Sequence, residues 1–232
     1  MKRVYDTADT APAEWGHTVR LDGRPVQTPR RRPLILPTAR LAALVAAEWA
    51  AQGETVVPDD MRVNRLATTA IDLMPERRSG AVEQVVEYVE TDLLCYRAAF
   101  PGELAAVQAR HWDPPLDWLA HTHGIRLEVT AAMTPVAQPD AAVRGVAGLV
   151  AGLGDWPLVG LHALTTATGS VVLALMVHAR ALTAADAAAA ALVDEHFERA
   201  RWGEEADALE RERRLSAEVD AAERYLDALR TD

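Results

Sequence analysis

Between Asp194 and Asp207 the chain reads Asp-Glu-His-Phe-Glu-Arg-Ala-Arg-Trp-Gly-Glu-Glu-Ala-Asp, six acids and one tryptophan in fourteen residues. Carboxylates gathered around an aromatic ring at a helix junction can recognise an arginine-bearing partner through charge-assisted hydrogen bonds. The indole adds apolar contact of the kind that anchors protein interfaces. The same acids could instead cap the helices they adjoin, or pair with Arg199 and Arg201 nearby.

Catalytic chemistry finds less support in the residue pattern. Gly148-Leu-Val-Ala-Gly152-Leu-Gly154 is glycine-rich, but no strand precedes it and no Gly-Lys-Ser/Thr follows, so it reads as a helix end. Lysine occurs once, at Lys2, which excludes a Walker-type nucleotide hydrolase. His121 and His123 are two apart and diverge on a helix, and there is no His-Glu-x-x-His, so no metal site is expected. His162 and His178 sit in apolar stretches as core histidines. Cys95 falls on an amphipathic helical pattern as a buried, inert thiol, and Gly169-Ser170 lacks the Gly-x-Ser-x-Gly elbow. The rival functional class is a small soluble hydrolase with a carboxylate or histidine pocket. It requires two such groups to face one another, which spacing alone does not supply.

The elements that must position these residues fall into two parts. Trp15, His17, Val19 and Leu21 alternate with Gly16, Thr18 and Arg20, the period of a strand. Asp22-Gly23 suits a type I′ hairpin turn, and Arg24 to Thr28 would return along an edge because of Pro25. Pro33-Leu-Ile-Leu-Pro37 reads as a short buried strand. From Thr38, a helix cap, the period becomes helical, with Leu41, Leu44, Val45 and Trp49 on one face. A helix over about 62–73 follows, then one from about Ser79 with Val82, Val85, Val86, Val89, Leu93 and Tyr96 on one stripe. Leu104 to Trp112 and a separate helix opened by Asp113-Pro114 are expected next. Ile125, Leu127 and Val129 alternate like one more strand. The remainder reads as helices: 139–153, 158–168, an apolar stretch from Ser170 to Leu182, one capped by Thr183 with Asp186, and a last one over about 204–229. The expected fold is α+β, a β-rich N-terminal domain over 1–60 and a larger all-helical domain over 61–232.

Composition bounds the rest. The 232 residues carry 34 acids against 24 bases, a formal charge of −10, which argues against a nucleic-acid binder. Half of the residues are apolar, enough for a sizeable core, and one cysteine excludes an intramolecular disulfide. Charge is uneven: eight bases and four acids in the first forty residues, seven bases and thirteen acids from Asp194 onward. The longest strongly apolar run, Val171 to Val177, is too short to insert into a membrane, where about 20 residues are needed. No secretory or transit-type leader is evident at the start, so a cytoplasmic protein is expected.

Several stretches together resemble the ATP-twelve family, assembly chaperones for the catalytic head of the F-type ATP synthase. They are Leu21-Asp-Gly-Arg-Pro-Val26 with Thr28-Pro29, Pro33-Leu-Ile-Leu-Pro-Thr38, Ala47-Glu-Trp-Ala-Ala-Gln52 and Arg65-Leu-Ala-Thr-Thr-Ala-Ile-Asp72. Thr91-Asp-Leu-Leu-Cys-Tyr-Arg97, Trp112-Asp-Pro114, Gln138-Pro139, Asp194-Glu195 and Trp202-Gly203 continue the series in order. The chain departs from the family pattern twice: Glu198 stands where a glutamine is usual, and Glu204-Glu205-Ala206-Asp207 exchanges the lengths of the acidic side chains. The resemblance implies a β-rich front joined to a helical domain, and a non-enzymatic chaperone, monomeric and without cofactor. Such a chaperone would bind the free alpha subunit and shield its beta-contacting surface. It also places the partner-binding patch at Asp194, Glu195, Trp202, Glu204, Glu205 and Asp207.

Overall fold

The structure, a computed structural model, describes residues 2–132, 134–203 and 205–230. Among them four short strands fall within the first 36 residues and ten α-helices follow, the α+β order that the change of period predicts. The chain packs into two compact units, neither continuous in sequence. One comprises the chain up to Arg78, Gly154–Gly160 and the chain from Ala221; the other comprises Ser79–Leu153 and Leu161–Asp220.

In the first unit the central strand is β2 (Gly16–Leu21). Its one edge carries β1 (Ala8–Ala13), antiparallel from Ala8 opposite Leu21 to Ala13 opposite Gly16. The other edge carries β3 (Arg24–Pro25) and β4 (Ile35–Leu36). Asp22 and Gly23 have φ of 48° and 78°, as a type I′ turn requires. Asp22 is held there by its own carboxylate, which accepts the N–H groups of Asp6 at 3.1 Å and Thr7 at 2.9 Å. The return strand is shorter than expected. It stops at Pro25, and Thr28 turns away to donate from its hydroxyl to the buried Asp72 carboxylate at 2.7 Å. The first strand, β1, has no apolar alternation to announce it; the open edge of β2 supplies the hydrogen-bond partners that its residues lack.

Helix α1 (Ala39–Ala50) lies on this sheet and buries Leu41, Ala42 and Val45. Thr38 caps it, accepting the Leu41 N–H at 3.1 Å. Glu48 then starts the next element: its carboxylate accepts Val63 N–H at 2.8 Å and Asn64 N–H at 2.7 Å, the first turn of α2 (Arg62–Asp72). Burial pushes the Glu48 carboxyl above its usual range, against the pull of those two amides.

Helices α3 (Met74–Thr91), α6 (Asp155–Thr168) and α10 (Ala206–Ala228) each contribute residues to both units. The second unit centres on α7 (Val171–His178), buried from Val171 through Val177, as its all-round apolar sequence predicts. Asp92 is wholly buried beside it. Its carboxylate accepts the Leu94 N–H at 3.0 Å, the Val172 N–H at 3.3 Å and the Ser170 hydroxyl at 3.0 Å, so it closes the 3-10 turn Leu93–Cys95 and the start of α7 together.

Three expectations are corrected here. Cys95 is not on a helix stripe: α3 ends at Thr91, and Cys95 is buried in the turn held by Asp92. The two helices expected around Asp113-Pro114 are one, α4 (Gly102–His123), with Pro114 and Pro115 inside it. Asp113 does not cap; it pairs with Arg97 at 2.9 Å, and Trp112 is anchored by its indole N–H to the Ala190 carbonyl at 2.7 Å. The packing of α4 on α7 and on α9 (Val193–Trp202) holds the helix through both prolines despite their missing N–H groups. Finally, 125–129 form no strand; only Thr130 makes a single bridge, to Tyr96. The Gln138 side chain takes the backbone of Glu128 instead, accepting its N–H at 2.8 Å and donating to its carbonyl at 3.0 Å.

Candidate functional site

The acidic segment folds as a helical corner. Thr183 caps α8 (Ala184–Ala191), accepting the Asp186 N–H at 3.1 Å, and Leu192 leads directly into α9. At the far end Gly203 adopts φ 90°, which lets the chain turn out of α9 and begin α10 three residues later. The two helices are joined by Glu212 of α10. It accepts from Arg199 in a short ion pair and contacts His196 Nε2 at 3.1 Å, one helical turn away on α9. The Arg199 guanidinium holds the Glu212 carboxyl below the usual carboxylate range.

A hollow of about 450 Å³ opens where α9 meets α10. Leu192, Ala208 and Leu215 line it with apolar surface, and Glu195, Glu198 and Glu205 bring carboxylates to it. Trp202 also lines it and is 86% exposed. Arg199 is committed to Glu212, and Arg211 is the remaining cation of the lining. The hollow therefore has an apolar wall, an acidic excess and an exposed indole.

Of the six residues expected to bind a partner, Glu195, Trp202 and Glu205 converge on this hollow. Asp194 is drawn the other way, accepting from the buried Gln108 amide at 2.8 Å, and so it fixes the base of α9 to α4. Asp207 is exposed in the first turn of α10, where a carboxylate favours the helix dipole. Glu204 lies outside the described residues. Sequence reasoning noted Glu198 only as a departure and missed its place on the lining. The i, i+3, i+4 spacing of Glu195, Glu198 and Arg199 was the available signal for one face.

Elsewhere, the groups with chemical potential serve the backbone. Ser170 donates to Asp92 and also accepts the Leu173 N–H at 3.1 Å as the cap of α7, with both residues at zero exposure. Cys95 has its thiol pushed up to about 12, first by burial and then by the Asp92 charge. Among the described residues no three His, Cys, Asp or Glu side chains converge as metal ligands, and no helix is long and apolar enough to cross a membrane.

The profile of the ATP12 chaperone protein family matches residues 2–120, half of the chain. The crystal structure of Atp12 from Paracoccus denitrificans superposes with a TM-score of 0.91 at 34% identity, over 99% of this chain and 98% of that one. The chain belongs to the ATP12 chaperone family. An aspartate-to-lysine mutant of the Paracoccus protein has been solved and matches equally well. The Atu1473 protein of Agrobacterium tumefaciens gives a TM-score of 0.93 at 37% identity, covering 99% of this chain and 86% of that one. The mitochondrial protein atp12 of Schizosaccharomyces pombe is 24% identical over 204 residues, spanning 83% of this chain and 70% of its own length. Stretches that carried the resemblance include Glu48, Asp72, Asp92 and Gln138, side chains that each accept a backbone N–H in this chain. The helical corner, by contrast, leaves side chains with no such structural duty.

Proposed function

We propose that this chain is an assembly chaperone for the catalytic head of the F-type ATP synthase, and that it binds the free alpha subunit through the α9–α10 corner. It would shield the surface that later meets the beta subunit and then yield to that subunit. The observation that carries this reading is the exposed Trp202 beside an apolar wall and three carboxylates. An unassembled subunit that exposes an apolar interface aggregates, and a binder that covers it stabilises it by mass action, with no need for ATP hydrolysis. A monomeric chaperone suffices for such one-to-one capture.

The test is capture of purified alpha subunit in size exclusion, with and without excess beta subunit. A one-to-one complex that beta displaces is expected. If alpha elutes alone at micromolar concentrations of both proteins, the reading fails.

A further inference from the structure

Phe100 and Trp202 are the two most exposed large apolar side chains among the described residues, at 86% each. They are 102 positions apart, yet two ties bring the Phe100 segment against α9. At one end the Gln108 amide spans both: its oxygen accepts the Ala98 N–H at 2.7 Å and its nitrogen donates to Asp194 at 2.8 Å, at the start of α9. At the other end Glu103 pairs with Arg201, beside Trp202 at the end of α9. Phe100 lies between Ala98 and Glu103 in the chain, so the segment that carries it is tied to both ends of α9, the helix that also lines the hollow. Arg201 also covers the Phe197 ring, 4.5 Å from its centroid, so that ring does not add to the exposed set.

Exposed aromatics of this size bury about 150–250 Å² each when covered, and such rings anchor interaction surfaces. The charge at the hollow is predominantly acidic. Glu195, Glu198 and Glu205 have no ion-pair partner among the described residues, while the Glu212 charge is met by Arg199. Three carboxylates without ion pairs, against the one further cation Arg211, leave an acidic excess next to apolar surface that selects a cation carried on an apolar segment. The planar guanidinium suits this better than an ammonium, because it is more weakly hydrated and bonds carboxylates in pairs.

We propose that Phe100 and Trp202 are two anchors of one client-binding surface across α9, and that its ligand is an arginine-bearing apolar segment of the client. This rests on the chaperone reading above and adds to it a residue and a ligand chemistry. It is tested with the whole chain and purified alpha subunit as probe, measuring the dissociation constant at low and high salt. Phe100→Ala is expected to weaken binding about tenfold, like Trp202→Ala, with an unchanged thermal midpoint because the ring contacts little in the free protein. Phe100→Trp should restore binding. Glu195→Gln, Glu198→Gln and Glu205→Gln combined should weaken binding and flatten its salt dependence. If Trp202→Ala weakens binding while Phe100→Ala leaves it within twofold, the two-anchor surface is wrong and the chaperone reading stands. A triple amide variant that binds as tightly as the parent, with the same salt dependence, overturns the arginine-bearing ligand. A dimer of the free chain that Phe100→Ala dissolves assigns the surface to a second copy and overturns the proposal. If the parent chain does not bind alpha at all, both readings fall together.

Discussion

Replacing Asp92 with asparagine should change how stability depends on pH, not only its level. Asp92 is fully buried, and burial pushes its carboxyl from 3.8 to about 6, against the hydrogen bonds from Leu94, Ser170 and Val172 that favour the charged form. Because the folded value lies above the unfolded one, the folded state holds the proton more tightly between those two pH values. The group therefore adds stability as pH falls through about 6, and that gain is complete only below 3.8. Above pH 6 the ionised carboxylate makes the fold about 3 kcal/mol less stable than it would be with the acid protonated. Between pH 7 and pH 4.5 the contribution grows by about 2 kcal/mol. Asparagine has no such titration. It also presents a donor to one of the backbone N–H groups and loses that bond, a constant cost of about 1–3 kcal/mol. Urea unfolding of the parent and of Asp92→Asn at several pH values, at matched ionic strength, isolates the term, since every other carboxylate cancels in the difference. On acidification from pH 7 to 4.5 the parent should gain about 2 kcal/mol relative to Asp92→Asn, whichever of the two is the more stable at pH 7. A gap that stays constant from pH 7 to 4.5 would refute the account of Asp92 as a buried, raised carboxyl.

Gln108→Ala should cost about 2–3 kcal/mol in denaturant unfolding, because it empties a buried site and strips partners from Ala98 and Asp194. Unlike the exposed variants it should lower stability and alpha-subunit binding together. Gly160→Ala should destabilise by about 1–3 kcal/mol, since the added methyl would lie 2.6 Å from Leu226 Cδ2 and 3.2 Å from Tyr225 Cδ1; a thermal midpoint equal to the parent's would contradict that packing. Glu205→Arg, by contrast, reverses an exposed charge at the hollow. It should leave stability within about 0.5 kcal/mol and weaken alpha binding several-fold, read by calorimetry.

Much of the architecture was legible because it rests on local rules. The Asp22-Gly23 turn, the Thr38 and Thr183 caps and the buried run of α7 each follow from a few neighbouring residues. What was not legible depends on partners distant in sequence. Strand β1 exists because β2 offers an edge. Helix α4 runs through two prolines because Trp112 and Leu119 are buried against other helices. Gln138 replaces a strand at Glu128 with its own amide.

The same division holds at the functional corner. Composition and spacing alone determined that acids and a tryptophan gather between Asp194 and Asp207, and that a helix junction lies among them. Only the tertiary structure decided which of them are available. It turned Asp194 inward to Gln108, left Glu195, Trp202 and Glu205 on one hollow, and tied the segment that carries Phe100 to α9 from about a hundred residues away. Charge and side-chain type are properties of single positions, whereas exposure and convergence are properties of the packing between them, and recognition requires both.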